Sequence, residues 1–281
     1  MAVKIVTDST SDLPRPLAEE LGIEIVPLSV QFGAELFKDG VTMTPDEFFD
    51  RLTTGEHFPT TSQPSVGEFV EVYERLSADA DGIVSVHVSD KVSGTLNSAR
   101  VAVEQANVGC PIEVLDTYTA SMGVGMAAIE AARAANAGND VARVAELTTE
   151  AITRCQTFAL LDTLVYLEKG GRIGKAQALL GTLLRVKPMI ILRDGEVYEL
   201  AKERTQRKAI ARLERTAEQF APLEGMAVMY STIRDEADAI AERLSGYMTA
   251  GNEPMVVQFG PVLGTYVGPG ALGIGLLSAP K

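Results

Sequence analysis

The sequence predicts an α/β fold made of two α/β domains, an N-terminal three-layer domain with a parallel sheet and a C-terminal domain with a mixed sheet. The chain has 281 residues, a length at which one hydrophobic core usually stops growing. Short apolar runs alternate with helical patterns to about residue 155, which is typical of a parallel sheet covered by helices. A hairpin signal at Asp194-Gly195 then interrupts the alternation, so we place the domains at residues 1–158 and 159–281.

Capping signals fix the helices of the first half. Thr44 precedes Pro45, which suits the first position of a helix, and Ser65 forms a capping box with Glu68. Gly138 closes the last helix of this half. The predicted strands are KIVTDS (4–9), IEIVPLSVQF (23–32), GIVSVHVS (82–89) and PIEVLDT (111–117). The predicted helices lie at about 13–21, 45–52, 65–76, 94–106 and 121–138.

The second half combines a hairpin with further strands and helices. The predicted strands are TFALLDT (157–163), the hairpin KPMIILRDGEVYELAKER (187–204), MAVMYS (226–231) and MVVQF (255–259). The predicted helices are Leu164–Lys169, Lys175–Arg185, Gln206–Phe220 and DEADAIAERL (235–244). Residues 254–280 carry no charge and are numerous enough to span a bilayer. Their glycines and prolines would interrupt a spanning helix, so we predict a strand, a tight turn and another strand.

Composition excludes several classes of function. The formal net charge is −13, which disfavours binding to nucleic acid. The two cysteines, Cys110 and Cys155, show no metal or redox spacing, and no secretory signal opens the chain, so we expect a cytoplasmic protein. HExxH, GxSxG and CxxC motifs are absent, so we expect no catalytic residues, no metal site and no cofactor.

Two glycine-rich segments resemble nucleotide-binding motifs only weakly. GGRIGKA (170–176) resembles a phosphate loop, but its spacing is wrong and Ala176 stands where a magnesium-binding hydroxyl is needed. GVGMAA (123–128) matches a dinucleotide fingerprint, but it does not follow the strand that ends at Asp116 directly. Close packing of a small-residue helix against the sheet explains this second motif better.

Hydroxyl residues gather just past the predicted strand ends. They are Ser9, Thr10 and Ser11; Thr60, Thr61 and Ser62; Ser89, Ser93 and Thr95; and Thr117, Thr119 and Ser121. Helix capping explains any single one of them. Four clusters on one rim, with no nucleophile–base pair nearby, favour the binding of a small anion without chemistry. Arg172 in GGRIG is either a solvated side chain at a helix end or a guanidinium that faces the same cleft.

Seven segments occur together and in order along the whole chain. They are TDSTSDL (7–13), TSQPS (61–65), SGTLNSA (93–99), DTYTASMGVG (116–125), LVYLEKGGRIG (164–174), KPMIILRDG (187–195) and GPVLGTYVGPGALG (260–273). In these segments the chain resembles the DegV family of bacterial fatty-acid-binding proteins. The resemblance implies two α/β domains with a ligand cleft between them that holds one long-chain fatty acid, in a protein that is not itself an enzyme. It also implies a partner, an ATP-dependent fatty-acid kinase, whose acyl-phosphate product feeds phospholipid synthesis.

The resemblance also assigns residues. Thr61, Ser62, Ser93 and Thr95 are expected to meet the carboxylate, with Arg172 near it. The full ligand-binding set that we predict is Thr61, Ser62, Ser93, Gly94, Thr95, Ser121, Arg172, Thr265 and Tyr266. Tyr266 stands where many relatives have a histidine, and a phenol can replace the hydrogen bond of an imidazole but not its protonation. For the tail, the candidates are Met122, Met126, Ile129 and ALLGTLL (178–184).

Two other functions stay open from the residues alone. One is an enzyme that acts on a small phosphorylated or acyl substrate at the same rim, and the other is a sensor of another apolar acid. A basic segment, residues 202–215, carries six basic and two acidic side chains. Arg204, Arg207, Lys208 and Arg212 belong to it, and helical spacing places most of its charges on one face. This face is either simply solvated or a docking surface for the kinase or for a membrane.

Overall fold

The computed structural model describes residues 3–179 and 186–280 of the chain. The strands are β1 Val3–Asp8, β2 Ile23–Val26, β3 Ser29–Phe32, β4 Glu35–Lys38, β5 Thr60–Ser62, β6 Gly82–His87, β7 Ile112–Asp116, β8 Cys155–Leu160, β9 Lys187–Arg193, β10 Glu196–Glu203, β11 Leu223–Tyr230, β12 Met255–Gln258 and β13 Leu272–Ser278. The helices are α1 Arg15–Leu21, α2 Pro45–Thr54, α3 Val66–Ser77, α4 Thr95–Gln105, α5 Met122–Asn136, α6 Val141–Arg154, α7 Val165–Lys169, α8 Gln206–Glu218, α9 Arg234–Leu244 and α10 Pro261–Val267. Short 3-10 helices lie at Ser9–Ser11, Gly174–Leu179 and Ser245–Tyr247.

The first half contains a parallel sheet, as predicted. Its strand order is β2-β1-β6-β7, and every pairing is parallel. Alternate side chains point to opposite faces of a strand. Val6 and Ile83 therefore pack with α3 and α4, whereas Ile5 and Val84 pack in the core that contains α5. The predicted cap at Thr44 and the predicted capping box at Ser65 are both present, and Thr44 also forms a capping box, with Glu47.

The second half contains the predicted mixed sheet. Its order is β10-β9-β8-β13-β11-β12, with β11 and β12 parallel and the other pairs antiparallel. The predicted hairpin turn at Asp194-Gly195 is confirmed, and both residues have positive φ, at 50° and 82°. Such φ values define the two-residue turn that matches the twist of the flanking strands.

Helix α5 lies between the two sheets and is buried along almost its whole length. Its glycines and alanines let both sheets approach it closely. A Cβ atom at Gly275 of β13 would lie 2.8 Å from Met122 Cβ and 2.9 Å from the carbonyl carbon of Met122. One continuous hydrophobic core therefore includes residues of both halves.

The predicted division after residue 158 falls inside β8. All of β8 pairs with β13 or β9 in the second sheet, so the change of sheet along the chain lies at the junction of α6 and β8. The division into two domains itself stays a prediction.

A third sheet was not predicted. The sequence reads 23–32 as one extended run, but β2 ends at Val26 and β3 begins a separate antiparallel sheet of order β4-β3-β5. The break occurs at Pro27-Leu28, where the Leu28 N–H bonds to Ser9 Oγ at 3.0 Å. This sheet brings Thr60–Ser62, predicted only as a hydroxyl cluster, into a strand.

Two helices also differ from the prediction. Helix α6 was missed, although Asp140 caps it and Val144, Thr148 and Ala151 form a buried face. In residues 254–280 the two predicted strands are present as β12 and β13, but the prediction of only a tight turn between them is wrong, because Pro261 opens the short helix α10, and Gly268, with φ of 70°, ends it before β13. Of the helix predicted at 175–185, the described part is the 3-10 helix to Leu179, and residues 180–185 lie outside the described residues. In the described chain, no helix has both the length and the apolar character needed to cross a bilayer.

The contact between β13 and α5 gives a stability prediction. Gly275→Ala forces the backbone of Met122 to move and should destabilise the fold by about 1–3 kcal/mol, measured as a lower midpoint of urea unfolding. Gly109→Ala is the control, since a Cβ there meets nothing within 4 Å. Equal midpoints for the two variants would contradict the close packing of α5 against β13.

Candidate functional site

A cavity of about 300 Å³ lies between the two sheets, at the small end of the range for ligand sites. The carboxyl ends of β1 and β6 contribute Thr10 and Val88 to its wall. The second sheet contributes Ala159 and Met229, and α10 contributes Tyr266. The cavity therefore lies beyond the carboxyl ends of the parallel strands, where open α/β sheets usually bind ligands.

The outer end of the cavity is polar. Thr61 on β5 and Tyr266 on α10 hydrogen-bond to each other through their hydroxyls. Ser93 Oγ lies 2.8 Å from Thr95 Oγ1 and accepts the Thr95 N–H at 3.3 Å. When Ser93 also accepts the Thr95 hydroxyl proton, its own proton is free to be donated into the cavity. Ser62, Gln63, Ser93 and Arg172 complete this polar lining.

Arg172 closes the polar end from the second half of the chain. Its Nε donates to Val92 O at 3.3 Å and its Nη1 to Gly170 O at 3.0 Å. Its guanidinium carbon lies 5.5 Å from the centre of the Tyr266 ring, within cation–π range. Gly170 permits this arrangement, because a Cβ there would lie 2.5 Å from Tyr266 Cδ1. Of the two interpretations left open for Arg172, this position agrees with a guanidinium that faces the cleft.

The inner end of the cavity is apolar in effect, although hydroxyl residues line it. Thr10 donates to Asp8 Oδ1, Ser121 donates to Asp12 Oδ2 at 2.6 Å, and Thr157 donates to Ala120 O at 3.2 Å. In the described residues, no buried side-chain nitrogen or oxygen lacks a hydrogen-bond partner. The rest of the inner wall is Val88, Ala120, Ala159, Ile190, Leu192, Met229, Phe259, Val262 and Leu263.

The structure brings six of the nine predicted residues to the cavity. Those six are Thr61, Ser62, Ser93, Ser121, Arg172 and Tyr266. Ser121 lies at the inner end, however, with its hydroxyl proton directed to Asp12 rather than to the polar end.

The other three predicted residues support the wall without lining it. Gly94 leaves room for the Gln63 amide, which would collide with a Cβ at that position. Thr95 is buried and bonds to Ser93. Thr265 is buried and donates to Pro261 O at 3.1 Å inside α10.

The tail candidates taken from the sequence do not line the cavity where they are described. Met122, Met126 and Ile129 are buried in the core around α5. The side chains of ALLGTLL (178–184) lie outside the described residues. Sequence reasoning missed the apolar wall, which comes from six separate parts of the chain, and it missed Gln63 although the residue lies inside the TSQPS segment.

A buried hydrogen-bond chain supports Thr10 from behind. Tyr73 Oη donates to Ser85 Oγ at 2.9 Å, Ser85 Oγ lies 2.7 Å from His87 Nε2, and His87 Nδ1 lies 2.9 Å from Asp8 Oδ2. The order of groups resembles a nucleophile triad, but Asp8, Ser85 and His87 are 0% exposed and none of them lines the cavity. Burial raises the pKa of Tyr73. The chain of bonds therefore holds the end of β1 in place, and its four residues lie outside the cavity lining.

No metal-binding cluster of His, Cys, Asp and Glu occurs in residues 3–179 and 186–280. The arrangement can bind a molecule with one polar, hydrogen-bonding end and one apolar end.

Comparison with known proteins identifies relatives over the full length. A family model described as "Uncharacterised protein, DegV family" matches residues 2–279. A DegV domain-containing protein from Streptomyces coelicolor is 39% identical over 276 residues, covering 97% of each chain. Another from Deinococcus radiodurans is 35% identical over 282 residues, covering 98% of each chain.

Solved structures with the same fold bind fatty acids. A DegV family protein from Thermus thermophilus, described by its fatty acid binding, superposes with a TM-score of 0.91 at 35% identity and covers 99% of this chain and 100% of its own. DegV of Bacillus subtilis, described as a fatty acid binding protein, has a TM-score of 0.89 at 31% identity, with the same coverage.

Proposed function

The chain belongs to the DegV family, and we propose that it binds one long-chain fatty acid, with the carboxylate at the polar end of the cavity and the tail inside. The observation that carries the proposal is the difference between the two ends of the cavity. The outer end offers the side chains of Thr61, Ser62, Ser93, Arg172 and Tyr266, whereas the inner hydroxyls are bonded within the protein. The fatty-acid binding of structural relatives supports the same ligand.

Magnitudes favour a long acid over a short one. Burial of about 15 methylenes contributes ~12 kcal/mol gross, at ~0.8 kcal/mol each. Immobilisation of the chain offsets several kcal/mol of this. Each charge-assisted hydrogen bond to the carboxylate adds roughly 1.5–3 kcal/mol, which its desolvation largely offsets. The tail therefore sets the affinity and the head group sets the orientation.

We further propose that the protein is a cytoplasmic carrier and not an enzyme, and that it presents the bound carboxylate to an ATP-dependent fatty-acid kinase, whose acyl phosphate enters phospholipid synthesis. Ser85 and His87 resemble catalytic groups but are buried away from the cavity, which disfavours the alternative of an enzyme acting on a small substrate. The apolar inner wall disfavours a small phosphorylated substrate, because it offers no hydrogen bonds to replace the water around a phosphate group.

A basic face around α8 supports contact with an anionic partner. Five side chains of this face are exposed and make no ion pair with the described residues: Arg204, Arg207, Lys208, Arg212 and Arg215. The opposite face of α8 packs Ala209, Ile210 and Leu213 into the core of the second sheet. A local basic surface steers encounters with an acidic patch or an anionic lipid even in a protein of net charge −13.

Mass spectrometry of denatured, freshly purified protein tests the main proposal. We expect one long-chain fatty acid per chain, extracted with the unfolded protein. A different co-purified metabolite, or a pocket that accepts no fatty acid after delipidation and reloading, would overturn the assignment.

Loss of one head-group hydroxyl should weaken fatty-acid binding. Thr61→Ala and Ser93→Ala each remove a hydrogen bond to the carboxylate, worth roughly 1.5–3 kcal/mol, or one to two powers of ten in affinity. Titration calorimetry measures the change. Thr149→Ala is the control, because that hydroxyl bonds to Ala145 O on a distant helix. Unchanged affinity in both site variants would remove the carboxylate assignment.

Tyr266→Phe tests the replacement of the family's histidine. The variant keeps the ring beside Gly170 and Arg172 and removes only the hydroxyl that bonds to Thr61, so affinity should fall about fivefold to tenfold, the cost of one neutral hydrogen bond. The thermal midpoint without ligand should change little. Tyr247→Phe, an exposed and distant change, should have no effect on binding, and equal affinities for the two variants would argue against a head-group role.

Charge reversal tests the basic face. The double variant Arg204→Glu with Lys208→Glu should bind fatty acid normally, but its phosphorylation by a cognate kinase, or its transfer of ligand to anionic vesicles, should fall and lose its salt dependence. The control is Arg133→Glu with Arg143→Glu, which changes the net charge by the same amount on other helices. If phosphorylation and transfer are both unchanged at low salt, the face is only solvated.

A further inference from the structure

Asp12 connects the two halves of the chain at the wall of the cavity. Its Oδ2 is hydrogen-bonded with Ser121 Oγ at 2.6 Å, and its Oδ1 accepts the Gly260 N–H at 2.9 Å. Ser121 precedes α5 and lines the inner cavity. Gly260 precedes α10, the helix that carries Tyr266 to the polar end. One carboxyl group therefore links Ser121, at the inner end of the cavity, to the helix that carries Tyr266 at the polar end.

Backbone strain coincides with this contact. Asp12 has a φ of 52° and Ser121 has φ and ψ of 57° and −144°. Non-glycine residues rarely adopt positive φ, and the conformation of Ser121 is one found almost only for glycine. Strained residues persist where surrounding contacts force them, and they cluster at ligand clamps and switches. Here two of them are bonded to each other beside the ligand cavity.

We propose that Asp12 is a positioning residue for the ligand site, which fixes α10 and therefore Tyr266 against the first half of the chain. The proposal rests on the proposed fatty-acid function only for the identity of the ligand. The tie between Ser121 and Gly260 is made by protein groups alone.

The surroundings make this tie sensitive to charge. A Cβ atom at Gly260 would lie 3.2 Å from Asp12 Oδ1 and 3.0 Å from Asp39 Oδ1, so two carboxyl groups converge on one glycine. The charged groups that face them are Asp8 at the end of β1 and Arg15 at the start of α1. Helix α5 contributes the neutral Ser121, and α10 has no charged side chain. Burial raises the pKa of Asp12 to about 8 and that of Asp39 to about 7.

The direction of the pH effect follows from these values. Near neutral pH Asp12 is mainly protonated. In that form Oδ1 still accepts the Gly260 N–H and the carboxyl proton on Oδ2 is donated to Ser121 Oγ, whereas the ionised form accepts the Ser121 hydroxyl proton. As pH rises towards 8 the buried carboxyl group of Asp12 becomes harder to keep in place, because burial and, to a smaller extent, the neighbouring Asp39 and Asp8 disfavour its charged form, and this loosens α10. A second cavity, of about 350 Å³, is lined by Asp12, Asp39, Arg15 and Pro261 and offers protons a route to the pair.

Folding stability changes with pH in a related way. Because the folded-state pKa of Asp12 lies above the ordinary value of 3.8, the unfolded chain releases this proton first as pH rises. The contribution of Asp12 to stability therefore falls between about pH 4 and pH 8 and is constant above that range. Asp12→Asn removes this titration. The difference between the thermal midpoint of the variant and that of the natural protein should therefore become more positive as pH rises from about 4 to about 8.

Hydrogen exchange on delipidated protein tests the positioning role. In the natural protein, α10 amide exchange corrected for the intrinsic rate should rise about tenfold from pH 7 to pH 9, as the ionised fraction of Asp12 rises from about a tenth to about nine-tenths. Asp12→Asn keeps an acceptor for Gly260 and a donor for Ser121, so its exchange should stay flat. Asp12→Ala should exchange fast at both values. Asp116→Asn, which removes another carboxyl of raised pKa far from α10, should follow the natural protein.

The proposal is overturned if Asp12→Asn shows the same rise as the natural protein, or if a folded Asp12→Ala leaves α10 exchange unchanged. A second arm measures release of a fluorescent long-chain fatty acid, which should accelerate at pH 9 in the natural protein and not in Asp12→Asn. If no protein binds the probe at either pH, the proposed function fails, while the exchange arm still decides the role of Asp12.

Discussion

The rest of the structure depends on one constraint, which is that every polar group behind the cavity has a hydrogen-bond partner within the protein. An apolar chain gains by burial only where no hydrogen-bonding group in the wall loses water without a partner. The segment 8–12 meets this need almost alone. Asp8 is hydrogen-bonded with the hydroxyl of Thr10, Asp12 with the hydroxyl of Ser121, and Asp39 with the hydroxyl of Ser9. The carboxyl groups of Asp8, at the end of β1, and of Asp12 thus occupy the hydroxyls of the cavity wall, so that the wall behaves as an apolar surface.

The position of the cavity follows from the packing of α5. Because this helix consists largely of glycine and alanine, two sheets approach it from opposite sides, and the carboxyl ends of the parallel strands come to face the second sheet. The cavity then opens at the seam, with hydroxyls from the first half on one side and α10 with Arg172 on the other. A fatty acid bound in the cavity would therefore contact both halves of the chain along its length.

Local signals in the sequence predicted local structure well. Capping residues such as Thr44 and Ser65, and the turn at Asp194-Gly195, determine their own surroundings and were predicted correctly. The third sheet depends on pairing between β3 and β5, which are far apart in sequence, and a reading of periodicity does not reveal it. Helix α10 was mistaken for part of a tight turn because a helix of so few residues, rich in glycine and proline at its ends, shows no helical periodicity.

The polar end of the site was easier to predict than the apolar end. Thr61, Ser93 and Tyr266 lie in distinctive short segments, and the structure brings them to one cavity. Residues such as Ala159, Met229 and Phe259 are ordinary core residues in their own strands and become a cavity wall only through the tertiary fold. Thr95 and Thr265 lie beside true lining residues, but their hydroxyls bond within the protein.

The central claim is that the inner cavity holds an apolar tail while the hydroxyl end holds a carboxylate. Affinity measured by calorimetry for saturated acids of increasing length tests it most directly. The account predicts that each two added methylenes tighten binding by roughly tenfold, since each contributes up to ~0.8 kcal/mol, until the cavity is filled and the gain stops. Affinity that does not depend on chain length would contradict it, because the tail would then lie outside the cavity.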